Sequence, residues 1–182
     1  SEMCIRDSSM HIKKGAIYGF IGRNGAGKTT CLKMISGLAR PTAGEIEMFG
    51  CKGKELERIR SRVGCLIEAP GLYGNMNAYT NLKIKCELFG IRKKGYIEDI
   101  LETVGLEGVG KKKTKHFSLG MKQRLGIGLA LVGEPDLLVL DEPINGLDPQ
   151  GIAEVRDTIQ RLRDERNMTI LISSHILEEL SK

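Results

Sequence analysis

At 182 residues, with 41% hydrophobic and 28% charged side chains, the chain has the make-up of one globular domain with a sizeable core, or of one domain carrying a small insertion. No stretch approaches the ~20 consecutive apolar residues of a membrane-spanning helix, and no basic-then-apolar leader is expected at its start. The net charge of +5 points to anionic partners only weakly. Much of the excess sits in Arg92-Lys93-Lys94 and in Lys111-Lys112-Lys113 with Lys115, and the few aromatics are not interleaved with these clusters. They read as solvated basic edges, and base stacking is not expected. The five cysteines (Cys4, Cys31, Cys51, Cys65, Cys86) are scattered and form no C-x-x-C pair, so neither a zinc site nor a disulfide framework is favoured and a reducing, cytoplasmic setting fits best.

In chain order, residues 1–9 (SEMCIRDSS) lack strand alternation and read as foreign to the domain, non-native or disordered. Ala16 to Ile21 reads as a buried strand. Gly22 to Thr30, GRNGAGKTT, follows, and Thr29 to Gly37 has helical spacing. Pro41 to Gly44 is a turn, Glu45 to Phe49 alternates like an edge strand, and Val63 to Ile67 is a short strand ending at Glu68. The texture then changes. Thr80 to Phe89 and Tyr96 to Val104 have helical periodicity, the second with Ile97, Ile100, Leu101 and Val104 on one face. No strand is expected in residues 69–117, a helical subdomain inserted between two parts of a core, 10–68 and 118–182. Ser118 is placed to cap a helix running to about Val132. Asp136 to Leu140 has the continuous apolar character of a central parallel strand. A helix over Gln150 to Arg163, a strand over Met168 to Ile172 and a helix from His175 complete an α/β pattern with a mostly parallel sheet, an antiparallel edge region and a small helical insertion.

Residues Gly22, Arg23, Asn24, Gly25, Ala26, Gly27, Lys28, Thr29 and Thr30 carry the most specific chemistry. Two glycines five apart followed by Lys-Thr, between a strand and a helix, make a G-x-x-x-x-G-K-[ST] phosphate loop. Glycines let the backbone curl until its N–H groups face a phosphate, and the helix adds its positive end. Lys28 would reach the β- and γ-phosphates, and Thr29 would offer a hydroxyl to Mg²⁺. A buried strand that ends in Asp141-Glu142 needs a reason for two acids. A nucleotide hydrolase supplies one: Asp141 for the metal's hydration shell, Glu142 for the attacking water.

These motifs resemble the nucleotide-binding domain of ABC transporters, a P-loop NTPase fold, over nearly the whole chain. The phosphate loop and the Leu137 to Glu142 strand match the Walker A and B patterns. Ser118-Leu119-Gly120-Met121-Lys122-Gln123 resembles the signature motif, Asn145 to Asp148 the D-loop, and His175 the switch histidine after Ser173-Ser174. The resemblance implies two such subunits paired head to tail, each ATP held between one phosphate loop and the other's signature residues. It implies that Asp148 couples the two sites, that His175 meets the γ-phosphate, and that ATP and Mg²⁺ are the cofactors. It further implies a second ATP-binding subunit and an integral-membrane permease as partners, no direct nucleic-acid partner, and a place on the inner face of the cell membrane.

Three motifs depart from the family's usual pattern: Glu68 stands in place of glutamine, Leu119, Met121 and Lys122 replace the commoner signature residues, and Ile144 stands in place of threonine. Glu68-Ala69-Pro70-Gly71-Leu72-Tyr73 is similar to the subgroup that exports bacitracin- or lantibiotic-type peptides, which assigns Glu68 a charged Mg²⁺ or water contact. The competing expectation is a non-transport ABC ATPase acting on nucleic acid or ribosomes. The family's adenine-stacking aromatic has no counterpart in Ser1 to Ser9. The chain stops soon after His175, so it reads as a fragment shortened at both ends whose own turnover is an open question.

Overall fold

A computed structural model of the protein describes residues 10–23 and 25–174; the expectations placed on residues 1–9, Asn24 and His175 lie outside the described residues. A four-stranded sheet organises the rest, in the order β1 (Ile17–Ile21), β6 (Thr169–Ser174), β5 (Leu137–Asp141), β4 (Val63–Leu66), with every neighbouring pair parallel. β5 is buried along its whole length because it is covered on both faces, which is why its sequence runs apolar without alternating. Successive side chains point to opposite faces. Leu137 and Val139 meet Leu32 and Ile35 of α1 (Lys28–Ile35), and Leu138 and Leu140 join the larger cluster with Leu125, Val155, Ile159 and Leu162. That second layer is built from α5 (Leu119–Leu131) and α6 (Pro149–Arg166). The parallel arrangement brings the carboxyl ends of all four strands to one edge, where crevices for ligands form in open α/β sheets.

Among the described residues, 69–117 hold no strand, only a single bridge between Asn77 and Lys113. Helices α3 (Ala78–Leu88) and α4 (Tyr96–Thr103) bury Leu82, Cys86, Ile100, Leu101 and Val104 against α5. Three arginines tie the carboxyl end of α4 to the core. Arg124 donates to the carbonyls of Val104 (3.1 Å) and Gly105 (2.6 Å). Arg161 donates to that of Glu102 (3.1 Å), and Arg166 to the Thr103 hydroxyl and the Asp99 carboxylate, both at 2.7 Å. Cations at a helix's carboxyl end satisfy its last carbonyls and oppose the negative pole of its dipole.

Several boundaries differ from the sequence reading. The strand expected over Glu45 to Phe49 contracts to β2 (Glu47–Met48), which turns back into β3 (Cys51–Lys52). Phe49 and Gly50, at φ of 52° and 77°, are the two central residues of this hairpin, and positive φ at both is the geometry that suits the twist of paired strands. The Arg62 guanidinium lies 4.0 Å from the centre of the Phe49 ring and covers it. Short α2 (Leu56–Ile59) leads from the hairpin to β4. α3 starts two residues earlier than expected because Asn77 accepts the Thr80 N–H (2.8 Å) as its cap. α6 runs on to Arg166 and stops where Asn167 takes φ of 48°. β6 extends through Ser173 and Ser174, which pair with Phe20 and Ile21. The described cysteines are all free thiols, and no described helix is long and apolar enough to cross a membrane.

Candidate functional site

The phosphate loop leaves β1 and closes on α1. Gly25 and Gly27 take φ of 83° and 87°, a region that side chains avoid, and so let the chain turn tightly into the helix. No acid occupies the first turn of α1, so its positive end stays uncompensated. Lys28 is only 6% exposed. Its ammonium donates to the carbonyls of Gly22 (2.6 Å) and Arg23 (3.2 Å) and stands 3.5 Å from Glu142 Oε1. The loop thus cages its own cation beside the acid at the end of β5.

Asp141 is held from both sides. The Thr29 hydroxyl donates to Oδ2 at 2.7 Å, and the Ser173 hydroxyl donates to Oδ1. A carboxylate that is 7% exposed is costly to bury, and two hydroxyl donors are what make it tolerable and fix its direction. Glu142 follows at φ of 45°, with its N–H donating to Ser173 Oγ (2.9 Å) and its Oε2 accepting from Asn145 Nδ2 (3.2 Å). Glu68, at the end of β4, also sits at positive φ, 63°. Two acids in a sparsely occupied backbone region on one rim are the kind of local strain that collects at functional sites.

These groups surround a cleft of about 470 Å³ whose wall includes Gly25, Gly27, Lys28, Thr29, Glu68, Ala69, Gln123, Asp141, Glu142 and Asn145. Glu68 is mostly exposed and accepts a hydrogen bond from Lys33 of α1 at 2.6 Å. That bond, and then the lysine's charge, hold the Glu68 carboxyl below its ordinary pKa. Of the signature-like stretch, Gln123 is on this wall and Ser118 to Lys122 are not. Ser118 caps α5, accepting the Met121 N–H at 3.2 Å, while Leu119 is 46% exposed at the helix end and Gly120 lies against α6, where an added Cβ would stand 3.3 Å from Gly151 Cα. Asp148 is likewise apart from the wall and caps α6 by accepting the Gly151 N–H at 2.9 Å. Gln123 closes the signature-like stretch and Asn145 opens the D-loop-like one, whereas Lys33 was not singled out by sequence reasoning, since a lone lysine in a helix carries no signal.

The donor set around Asp141 is a hydroxyl and carboxylates, hard oxygen ligands of the kind magnesium takes. No group of three or more His, Cys, Asp or Glu side chains among the described residues could by itself hold a metal ion. An ion at Thr29 and Asp141 would therefore complete its shell from water and bound phosphates, as is usual in phosphate-loop enzymes.

Residues 5–145 match the family described as ABC transporter. The whole chain is 51% identical to the bacitracin transport ATP-binding protein BcrA of Bacillus licheniformis and spans 60% of that protein's length. It is 47% identical, over 97% of this chain and 75% of the relative, to the lantibiotic transport ATP-binding protein SrtF of Streptococcus pyogenes. Among solved structures, the ATP-binding cassette MJ0796, in a dimeric post-hydrolysis state bound to ADP and Pi, superposes with a TM-score of 0.79 at 25% identity, covering 93% of this chain and 79% of that one. The chain belongs to the ABC transporter family, and its fold is the α/β phosphate-loop ATPase fold of that family's ATP-binding domains. It spans about three-fifths of the length of the bacitracin transport protein.

Proposed function

We propose that this chain is the ATP-binding and ATP-hydrolysing part of a transporter that exports an antimicrobial peptide or a similar compound. The observation that carries the reading is the junction of Thr29, Lys28, Asp141 and Glu142. A phosphate-binding cation and a general base face one cleft, and the hydroxyl that would meet a metal is bonded to the acid behind it. Residues Gly22 to Thr30 bind the phosphates. Glu142 accepts a proton from water as the water oxygen bonds to the γ-phosphorus. The bond to the β,γ-bridging oxygen then breaks, and ADP leaves with the electron pair. Thr29 and Asp141 would hold a magnesium ion, with Glu68 as a further charged contact from the 67–70 loop; the ion neutralises charge on the phosphates.

Ser118, Leu119, Gly120, Met121 and Lys122 serve the ATP of a second subunit, Asp148 couples the two sites, and His175 contacts the γ-phosphate. The exposed position of Ser118 and Leu119, outside the cleft of their own chain, supports a role in trans. In this reading a membrane permease is the other partner, and residues 10–68 and 118–182 form the ATPase core around the 69–117 helical subdomain. Similarity to bacitracin and lantibiotic transport proteins supports the choice of cargo class. The test is ATP hydrolysis by the full-length protein with its permease in proteoliposomes, with and without magnesium. A wild-type complex that shows no magnesium-dependent turnover, or one equally active as Glu142→Gln, overturns the reading. Resistance assays with bacitracin and a lantibiotic in cells expressing the complex address the cargo.

A further inference from the structure

The end of α3 puts two large apolar side chains into solvent. Leu88 is 80% exposed and Phe89 50%, neighbours on the turn that closes the helix. Hydrogen bonds hold that turn. Gly90 takes φ of 69°, its N–H donates to the Glu87 carbonyl (3.1 Å), and the Ile91 N–H donates to that of Cys86 (2.8 Å), the paired bonds of a Schellman cap. The cap folds Ile91 back onto the core and leaves Leu88 and Phe89 outside it.

Cations flank this tip. Residues 83–94 hold Lys83, Lys85, Arg92, Lys93 and Lys94 against one acid, Glu87. Lys85 leans over the Phe89 ring, its Nζ 5.6 Å from the ring centre. Lys83 lies 4.0 Å from Glu87 and Lys93 3.6 Å from Glu134, whereas Arg92 and Lys94 are exposed and pair with no acid among the described residues. The sequence alone reads Arg92 to Lys94 as a solvated edge; the apolar tip beside it changes that reading. A second copy of the chain docked on this face would bring like charges together. Two side chains at these exposures present on the order of 250 Å² of apolar surface, well short of the roughly 800 Å² per partner of a stable protein interface. A small apolar wedge with basic flanks matches an anionic membrane surface, where the apolar groups enter the acyl boundary and the cations meet headgroup charge.

We propose that the Leu88–Phe89 tip, with Lys85, Arg92 and Lys94, is a peripheral membrane contact that binds anionic lipid headgroups. Leu88 and Phe89 supply attraction to any bilayer, and the cations supply the part that needs negative charge and is screened by salt. Each signal is weak alone, and the two together give reversible attachment. None of these residues is on the wall of the phosphate cleft, so the contact goes beyond ATP hydrolysis and does not depend on the cargo.

Co-sedimentation of the full-length ATP-binding protein with vesicles is the test, using phosphatidylcholine with about 30% phosphatidylglycerol and, for comparison, phosphatidylcholine alone. Wild type should bind the anionic vesicles at least about 10-fold more tightly than the neutral ones, and the difference should collapse in roughly 0.5 M salt. Leu88→Ser should weaken binding roughly 3- to 10-fold and Leu88→Trp should strengthen it, opposite effects at a site too exposed for either to act through folding. Arg92→Gln combined with Lys94→Gln should lower binding to the anionic vesicles alone, by roughly 10- to 30-fold. Equal binding to both kinds of vesicle overturns the proposal, as do Leu88→Ser and Leu88→Trp that bind like wild type. Release of the permease by Leu88→Ser in detergent, where no bilayer is present, would make the tip a protein-docking site and reject the lipid. A concentration-dependent oligomer of wild type that Leu88→Ser abolishes would reject it in favour of a second copy.

Discussion

Lys28 and Glu142 face each other at the cleft, Nζ to Oε1 at 3.5 Å, so the proposed phosphate-binding cation and the proposed base are direct neighbours. In the proposed reaction, phosphate oxygens entering the cleft would compete with the carboxylate for the same ammonium. Glu142→Gln removes that competitor and the base together. It should lower ATP turnover by about 10²- to 10⁴-fold while ATP affinity stays equal or rises. Single-turnover kinetics and equilibrium nucleotide binding on the same preparation measure both. A fall in affinity would show that Glu142 supports binding, against the arrangement described.

Glu68 takes its ionisation behaviour from Lys33. The hydrogen bond at 2.6 Å depresses its folded-state pKa below that of the unfolded chain. The associated stabilisation is therefore present above the unfolded pKa and is lost as pH falls through the folded one. Because the pair is exposed, the effect on global stability should be slight. Lys33→Met should raise the Glu68 pKa toward the ordinary carboxylate value, read as a carboxyl-carbon NMR titration. An unmoved titration curve would mean that Lys33 is not its partner in solution.

Gly64 lies in β4 where the strand passes under the end of α5. An added Cβ would stand 2.1 Å from the Ala130 carbonyl oxygen and 3.0 Å from Pro135 Cγ. Backbone on one side and a ring on the other leave no flexible atom to give way. Gly64→Ala should cost about 1–3 kcal/mol or more, seen as a Tm lowered by roughly 2–4 °C for each kcal/mol. A Tm within a degree of wild type would show that β4 can shift relative to α5.

Arg124 joins α5, α6 and the end of α4 through the Val104 and Gly105 carbonyls and Glu154. Arg124→Met keeps much of the side-chain volume but strands those acceptors, at a cost on the order of 3 kcal/mol. Hydrogen exchange should speed most in residues 96–106, because α4 loses the cation at its carboxyl end. Uniform acceleration across the chain would instead indicate global destabilisation without a local attachment.

The central strand, the phosphate loop and the Ser118 cap could be read in advance because each has a local cause: a continuous apolar run, glycine spacing before Lys-Thr, and a serine at a helix start. Asn77 was equally local, capping Thr80 in the way asparagine does, but it was hidden by the turn residues around it. Phe49 was not readable, since an aromatic alternating with acids looks like a strand, and only pairing of β2 with β3 forces it to positive φ. Contacts between elements lay further out of reach. Nothing near position 33 or 123 in the chain signals that Lys33 meets Glu68 or that Gln123 reaches the cleft, because both depend on how α1 and α5 pack on the sheet.

Among the described residues, strand β1 pairs only with β6, about 150 residues further along the chain (Ile17 with Ile170). Within the described residues, the phosphate loop is made well before the strands it has to join. Thr29 must wait for Asp141, 112 residues downstream, and for Ser173 behind it. Closing such long loops slows folding and leaves the early apolar strand unprotected in the meantime. A ligand that bridges the two distant segments binds only the finished sheet, so nucleotide draws the newborn chain toward completion by mass action.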